Sequence, residues 1–266
     1  MRSLTYLLAI IALLSSFAIV PNLMAAGAGE QYSVLSVTAA NVPDQIVERV
    51  KIPDFYYQKK PASIYFRGAN TEKKVALTFD DGPDAKYTGQ ILDILKRYHV
   101  PATFFVIGNQ VPYYPEVIKR MVNEGHIVAG HSWSHPNLSK LSDAQVRQEI
   151  IKTNQAVKSV TGKNMAMIRP PYGAIKGKEK VINQMGISIV QWSIDTLDWK
   201  SGRTSQQVEQ TVLQNLSPGS IILKHSGGGN RSTTVQALPG IIESLKQKGY
   251  QFVTVNELLE IPAYRE

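Results

Sequence analysis

The 266 residues contain no cysteine. Neither a disulfide nor a thiolate metal site is therefore available to this chain. The absence is compatible with export, because an oxidising compartment then has no thiol to act on. Zinc-finger spacing, a basic helix and an aromatic RNA-binding motif are also missing, and the lysines are scattered. No nucleic-acid partner is expected. The glycine-rich stretch "SGGGN", Ser226 to Asn230, lacks the Gly-Lys-Ser/Thr ending of a phosphate loop. It reads as a mobile loop at the mouth of a site. No repeat is visible beyond an alternation of short apolar runs and longer amphipathic stretches.

Charge is absent between Arg2 and Glu30. That gap holds the apolar run Leu7–Val20 and then small residues ending in Ala26-Gly27-Ala28. A positive start, an apolar centre and an A-x-A site describe a secretory signal peptide over residues 1–28. The same segment is long enough to serve as an uncleaved membrane anchor, although Pro21 and Asn22 interrupt it and favour cleavage. The expected protein is exported, either secreted or held at the cell wall or the outer face of the cytoplasmic membrane. Its net charge of +8 suits an anionic envelope polymer and equally serves solubility.

The composition, 43% hydrophobic and 19% charged, is that of a globular chain. Residues 29–72 read as an extension or linker, with one strand expected in "QYSVLSVTAANV". From residue 73 to about 260 the pattern is regular. Seven runs rich in β-branched and aromatic residues, 75–79, 102–108, 126–130, 166–170, 188–194, 220–224 and 250–255, alternate with helical patterns. Helices are expected at 88–98, 115–125, 142–162, 178–186, 205–216 and 238–249, several of them ending at glycine. Seven successive strand–helix units predict an α/β fold. The expected form is a distorted (β/α)7-type barrel of parallel strands with outer helices, one unit short of the common eight. A doubly wound open sheet is the alternative. A monomer is expected.

In such barrels chemistry gathers at the C-terminal ends of the strands. Asp80 and Asp81 follow the first run, His131 the third, Arg169 ends the fourth, Asp195 and Asp198 follow the fifth and His225 the sixth. Adjacent carboxylates in "TFDDGP" are unfavourable without a cation, though a solvated Asp-Gly-Pro turn is the plain alternative. In "HSWSH", one helical turn would project His131 and His135 from the same face. Ser132 stands where a zinc protease carries glutamate, and Pro136 argues against a long helix. Two imidazoles and one carboxylate make a three-ligand site for zinc or a similar divalent ion. One aspartate then ligates and the other stays free as a base. Arg169 in "RPPYG" can hold a carboxylate ionised, and the turn presents the Tyr172 N–H to an oxyanion. A carboxylate near His225 would raise that imidazole's pKa and make it a general acid. Trp199 and Leu223 offer apolar surface, or simply pack in the core. His99 ends a helix, and His126 opens a strand at the wrong end for chemistry, so neither is assigned to the site.

"TFDDGP", "HSWSH", "RPPYG", "DTLDW" and "LKH", in this order over roughly residues 73–258, resemble the motifs of the polysaccharide deacetylase family. That family is also called carbohydrate esterase family 4, or the NodB homology domain. The resemblance implies metal ligation by Asp81, His131 and His135, with zinc the expected ion and cobalt or another divalent ion an alternative. It implies Asp80 as general base tethered by Arg169, and His225 as general acid tuned by Asp198. It places Trp199 and Leu223 around an acetyl group and the Tyr172 N–H on the oxyanion. Some family members carry a hydroxylated proline in the third motif, for which Pro171 is the candidate. The implied activity is removal of N-acetyl groups from a cell-wall glycan of the peptidoglycan or chitin type, releasing acetate. Alternatives are an O-acetyl xylan esterase using the same site and a wall-glycan binding protein without turnover.

Overall fold

The computed structural model describes residues 64–266. The expected leader and the strand in "QYSVLSVTAANV" lie outside the described residues. The strands are β1 (Ile64–Tyr65), β2 (Lys74–Asp80), β3 (Thr103–Val106), β4 (Ile127–Gly130), β5 (Asn164–Met165), β6 (Met167–Ile168), β7 (Ser188–Val190), β8 (Ile194–Asp195), β9 (Ser220–His225), β10 (Gln251–Phe252) and β11 (Tyr264–Arg265). The α-helices are α1 (Tyr87–Tyr98), α2 (Pro115–Asn123), α3 (Asp143–Thr161), α4 (Glu179–Asn183), α5 (Ser205–Asn215), α6 (Ser232–Gln247) and α7 (Val255–Leu259).

The main sheet runs β1-β7-β6-β4-β3-β2-β9-β8, with β10 beside the start of β2. All of its pairings are parallel. The run 188–194 divides at Gln191–Ser193. Its first half, β7, pairs with β6, and its second half, β8, pairs with β9 at the opposite edge. The four Cα–Cα steps from Val190 to Ile194 span about 14 Å at most, so the two edges must approach each other. The sheet is thereby curled into a half-barrel with helices outside. The seventh unit does not close the ring. β10 joins β2 at Lys74 and Val75, below the level at which β3 pairs from Thr78 upward. Residues 64–72, read from the sequence as extension, contribute β1 to the sheet beside β7. A small antiparallel pair, β5 with β11, lies apart from it.

Alternation along each strand separates two cores. On β2, Val75, Leu77 and Phe79 face outward and pack with Ile91, Leu92 and Leu95 of α1 and Ile241 and Leu245 of α6. A fully buried aliphatic side chain of this kind contributes about 1.5–3 kcal/mol. Truncating one, as in Leu95→Ala, costs about 2–5 kcal/mol. The inner face carries Ala76, Phe105, Ala129, Met167, Val190 and Ile221, with Val253, Val255 and Leu258 in the same cluster. Toward the C-terminal ends of several strands this face acquires polar residues. Thr78 and Asp80 follow Ala76, His131 follows Ala129, Arg169 follows Met167, and Leu223 and His225 follow Ile221.

Local signals account for most helix ends. Ser142 and Gln145 form a reciprocal cap at the start of α3, and Gly162 ends it at φ 72°. His99 closes α1 from a left-handed conformation, its backbone N–H donating to the Leu95 and Lys96 carbonyls. α6 starts at Ser232, six residues before the expected Leu238, and carries Pro239 in its interior. The proline removes the bond to the Val235 carbonyl and crowds that oxygen, yet the helix continues through it. Among the described residues, no helix is long and apolar enough to cross a membrane.

Candidate active site

The polar ends of the inner face converge. Asp80 is the register partner of Phe105 on β3 and of His225 on β9. Arg169 is fully buried and stacks its guanidinium 4.1 Å above the Phe105 ring. Its Nη1 donates to Asp80 Oδ1 at 2.7 Å and to Thr78 Oγ1 at 2.8 Å. Nη2 donates to the Gln191 carbonyl at 3.0 Å, and Nε to the Val190 carbonyl at 3.3 Å. The guanidinium thus spans the seam between β2 and the run 188–194. A charge-assisted bond of this kind fixes the orientation of Asp80. Asp80 Oδ2 remains directed toward His131, whose Nε2 lies 3.9 Å away.

Asp81 leaves the strand in a left-handed conformation, φ 68°. This turns its carboxylate away from that of Asp80 and toward the histidines. Asp81 Oδ1 is 3.5 Å from His131 Nε2 and 3.2 Å from His135 Nε2. The histidine segment is not a helical turn. Ser132 and His135 both adopt positive φ, 65° and 61°, and residues 131–137 form a loop. The two rings are brought together by this loop, with centroids 5.0 Å apart.

Hydrogen bonding shows what the cluster is suited to hold. His131 Nδ1 lies 2.8 Å from the Arg169 carbonyl, which only accepts, so Nδ1 carries the proton. Burial lowers the His131 pKa despite the nearby aspartates, which favours the neutral ring. Its Nε2 is then a lone pair aimed at carboxylate oxygens. Asp81 Oδ1 is itself buried without a hydrogen-bond partner. Lone pairs meeting an ionised, unpartnered oxygen are satisfied by a cation. The ligating atoms of Asp81, His131 and His135 lie within 4.8 Å of one another. This nitrogen and oxygen donor set fits a divalent ion.

On the other side of Asp80, His225 Nδ1 sits 2.7 Å from Asp198 Oδ1. Asp198 Oδ2 accepts from the His225 N–H at 2.8 Å and from Thr234 Oγ1 at 2.6 Å. Burial alone would lower the His225 pKa, but Asp198 raises it above the ordinary imidazole value. With Nδ1 committed to Asp198, Nε2 is the ring atom left for chemistry.

The other residues singled out from the sequence make unequal contacts. Tyr172, at φ 60°, places its hydroxyl 3.1 Å from His135 Nδ1 and its ring edge-on to the imidazole. Leu223 is buried on the inner face two residues before His225. Trp199 is half exposed and donates Nε1 to Asp195 Oδ1 at 3.3 Å. Asp195 also accepts from the Leu197 N–H at 2.8 Å, so it shapes the turn that delivers Asp198. His126 is remote in role, accepting the Ala102 N–H on Nδ1. The "SGGGN" loop, expected to be mobile, is tied down. Ser226 donates its N–H to the Asp80 carbonyl at 2.8 Å, and Arg231 Nε donates to the Gly227 carbonyl at 2.6 Å. Arg231 Nη2 lies 3.6 Å from Asp81 Oδ2. Sequence reasoning missed Thr78, Arg231 and Thr234. Only Thr78 carried a signal, as the residue two before Asp80 on the same strand face.

A curled parallel sheet with paired carboxylates, imidazoles and a cation-ready cluster on its C-terminal rim defines a barrel hydrolase. The sequence model described as polysaccharide deacetylase matches residues 67–190. A peptidoglycan-N-acetylglucosamine deacetylase of Bacillus cereus is 43% identical over 203 residues, which cover 76% of this chain and 74% of the relative. The peptidoglycan-N-acetylmuramic acid deacetylase PdaC of Bacillus subtilis is 40% identical over 73% of this chain, which spans only 40% of that longer protein. Among solved structures, the peptidoglycan N-acetylglucosamine deacetylase Bc1960 superimposes with a TM-score of 0.74 at 42% identity, covering 77% of this chain and 96% of that one. The chain belongs to the polysaccharide deacetylase family.

Proposed function

We propose that this chain removes N-acetyl groups from N-acetylglucosamine-type residues of peptidoglycan and releases acetate. The observation that carries the reading is the unpartnered Asp81 Oδ1 facing the Nε2 atoms of His131 and His135, with Asp80 held free of that cluster by Arg169. Asp81, His131 and His135 would hold the ion, for which zinc is the best fit to the donor set. When bound there, a divalent ion supplies Lewis acidity to the substrate carbonyl and to water.

The residues of the chain then divide the proton work. Asp80 Oδ2 takes a proton from water as its oxygen attacks the acetamide carbon. Arg169 keeps Asp80 aimed throughout. The Tyr172 N–H stabilises the developing oxyanion. His225, protonated and held by Asp198, gives its Nε2 proton to the leaving nitrogen as the C–N bond breaks. The products are a free amine on the sugar and acetate. Leu223 and Trp199 contribute the apolar surface against the acetyl methyl.

The leader-like N-terminus supports action outside the cytoplasm, on the wall, by a monomer that is secreted or held by an uncleaved N-terminal segment. Residues 73–260 form the catalytic domain in this reading. The test is acetate release from peptidoglycan, chitin oligomers and acetylxylan, each with chelator and with zinc or cobalt restored. Release from peptidoglycan, lost with chelator and regained with metal, is expected. Release from acetylxylan alone would replace the reading with an O-acetyl esterase. Glycan binding without acetate release, insensitive to chelator, would replace it with a binding protein.

A further inference from the structure

The loop carrying His131 and His135 has two non-glycine residues in the left-handed region, Ser132 and His135. Each such residue costs roughly 1–2 kcal/mol and persists only where the surroundings over-determine it. The loop's backbone partners show what does so. The Ser132 carbonyl accepts from Gly108 N–H at 2.9 Å, and the Trp133 carbonyl from Asn109 N–H at 3.1 Å. His135 N–H donates to Ser132 Oγ at 3.0 Å. The N–H groups of Trp133 and Ser134 both donate to a single atom, Glu149 Oε2, at 2.8 Å each. Glu149 Oε1 accepts from Ser134 Oγ at 2.9 Å. Glu149 stands on α3.

We infer that Glu149 is a positioning residue for the metal-binding histidines. Its carboxylate gathers the N–H groups between the two rings and so sets the loop shape that aims both Nε2 atoms at Asp81 Oδ1. Charge-assisted bonds are about twice as strong as neutral ones. Three of them on one half-buried carboxylate fix its rotamer and, with it, the loop. Its negative charge also favours a cation in the cluster, so position and electrostatics act in the same direction. The inference rests on the metal-site reading proposed above.

The test uses the full chain, stripped with chelator and titrated with zinc against a chromophoric competitor, and with cobalt read by its visible absorption. Glu149→Ala should weaken zinc binding about 10- to 100-fold, the usual effect of losing an outer partner of a metal ligand. The cobalt spectrum should change in shape, because the imidazoles are no longer held in one geometry. Glu149→Gln keeps a carbonyl acceptor for the two N–H groups and should recover part of the affinity. Gln148→Ala, one position away on α3, should match the wild type. If Glu149→Ala fails to fold, Glu149→Asp, which is one methylene short of the loop, replaces it with the same expected loss. Wild-type zinc affinity and an unchanged cobalt spectrum in the folded variant overturn the inference, even if its thermal stability falls. Failure of the wild-type chain to bind either ion overturns the metal-site reading instead.

Discussion

Asp80 and Asp81 are consecutive, yet their carboxylates serve different partners. Asp80 Oδ1 accepts from Arg169 at 2.7 Å, while Asp81 Oδ1 lies 3.2 Å from His135 Nε2. The left-handed conformation of Asp81 makes the division. It separates two like charges and leaves one beside a fixed guanidinium and the other beside the imidazoles. Asp80→Asn should therefore cost turnover without costing metal. General-base catalysis contributes about 10²- to 10⁴-fold, so acetate release should fall by that factor while metal content after dialysis stays at the wild-type level. Loss of metal together with activity would mean that the two carboxylates are not divided in this way.

The Asp198–His225 pair sets the alkaline limb of the rate profile. Burial pushes the His225 imidazole down, and Asp198 at 2.7 Å pulls it up further than burial lowers it. The protonated form is the acid, so rate falls as pH rises through the His225 pKa. In Asp198→Asn burial is opposed only by the weaker pull of Asp80 and Asp81, and the alkaline limb of kcat should move to lower pH. A limb that stayed in place would assign it to another group. The same pair carries a stability dependence. The raised His225 pKa gives stability that is complete below about pH 6.5 and lost as pH rises through the folded value. The lowered Asp198 pKa gives stability present above about pH 3.9 and lost as pH falls through its folded value. Urea unfolding of the metal-free chain should place the pair's largest contribution between these limits.

The rim was legible because strand runs are easy to see and reactive residues follow them. Asp80, His131 and His225 sit one step beyond an apolar run, Arg169 lies at the end of one, and all four continue its inner face. The seam was not legible. "SIVQWSI" reads as a single strand, since periodicity records which face is buried and not which neighbour a strand pairs with. The braces were hidden for a similar reason. Thr234 and Arg231 reach Asp198 and Asp81 from the start of α6, and nothing in their local sequence records those partners. "SGGGN" misled in another way. Glycine permits motion, but it also permits close approach, and at Gly227 and Gly228 the structure uses the second property.

Lys224 is fully buried on the outward side of β9, with Nζ 5.0 Å above the Phe79 ring and no hydrogen-bond partner among the described residues. Burial lowers its pKa to about 7, and Asp198 opposes this only partly. Between about 7 and 10.5 the unfolded chain holds a proton that the folded chain does not. Stability from this site therefore rises with pH across that window and is least below it. Lys224→Met removes the charge and keeps the length. It should stabilise the fold by about 1–4 kcal/mol below pH 7, the range found when buried charges are replaced by apolar side chains. The gain should shrink as pH approaches 10. Urea midpoints at pH 6 and pH 9 measure this, and a variant no more stable than wild type at pH 6 would contradict it.

Gly228 stands at φ 71°, and a Cβ there would lie 2.8 Å from Asp81 Oδ2 and 3.1 Å from Asp81 Cβ. Its carbonyl accepts from Arg231 Nη2 at 3.2 Å, and the same Nη2 lies 3.6 Å from Asp81 Oδ2. Neither side of this contact can yield easily, so an added methyl must displace the Asp81 carboxylate. Gly228→Ala should weaken zinc binding at least tenfold, within the 10- to 100-fold range typical of outer-shell changes. Gly229 separates this clash from backbone strain. It also has positive φ, 139°, but a Cβ there meets nothing within 4 Å. Gly229→Ala should therefore lower thermal stability while leaving zinc affinity unchanged. Competition titration of both variants decides the matter, because equal losses of affinity would trace the effect to loop strain rather than to contact with Asp81.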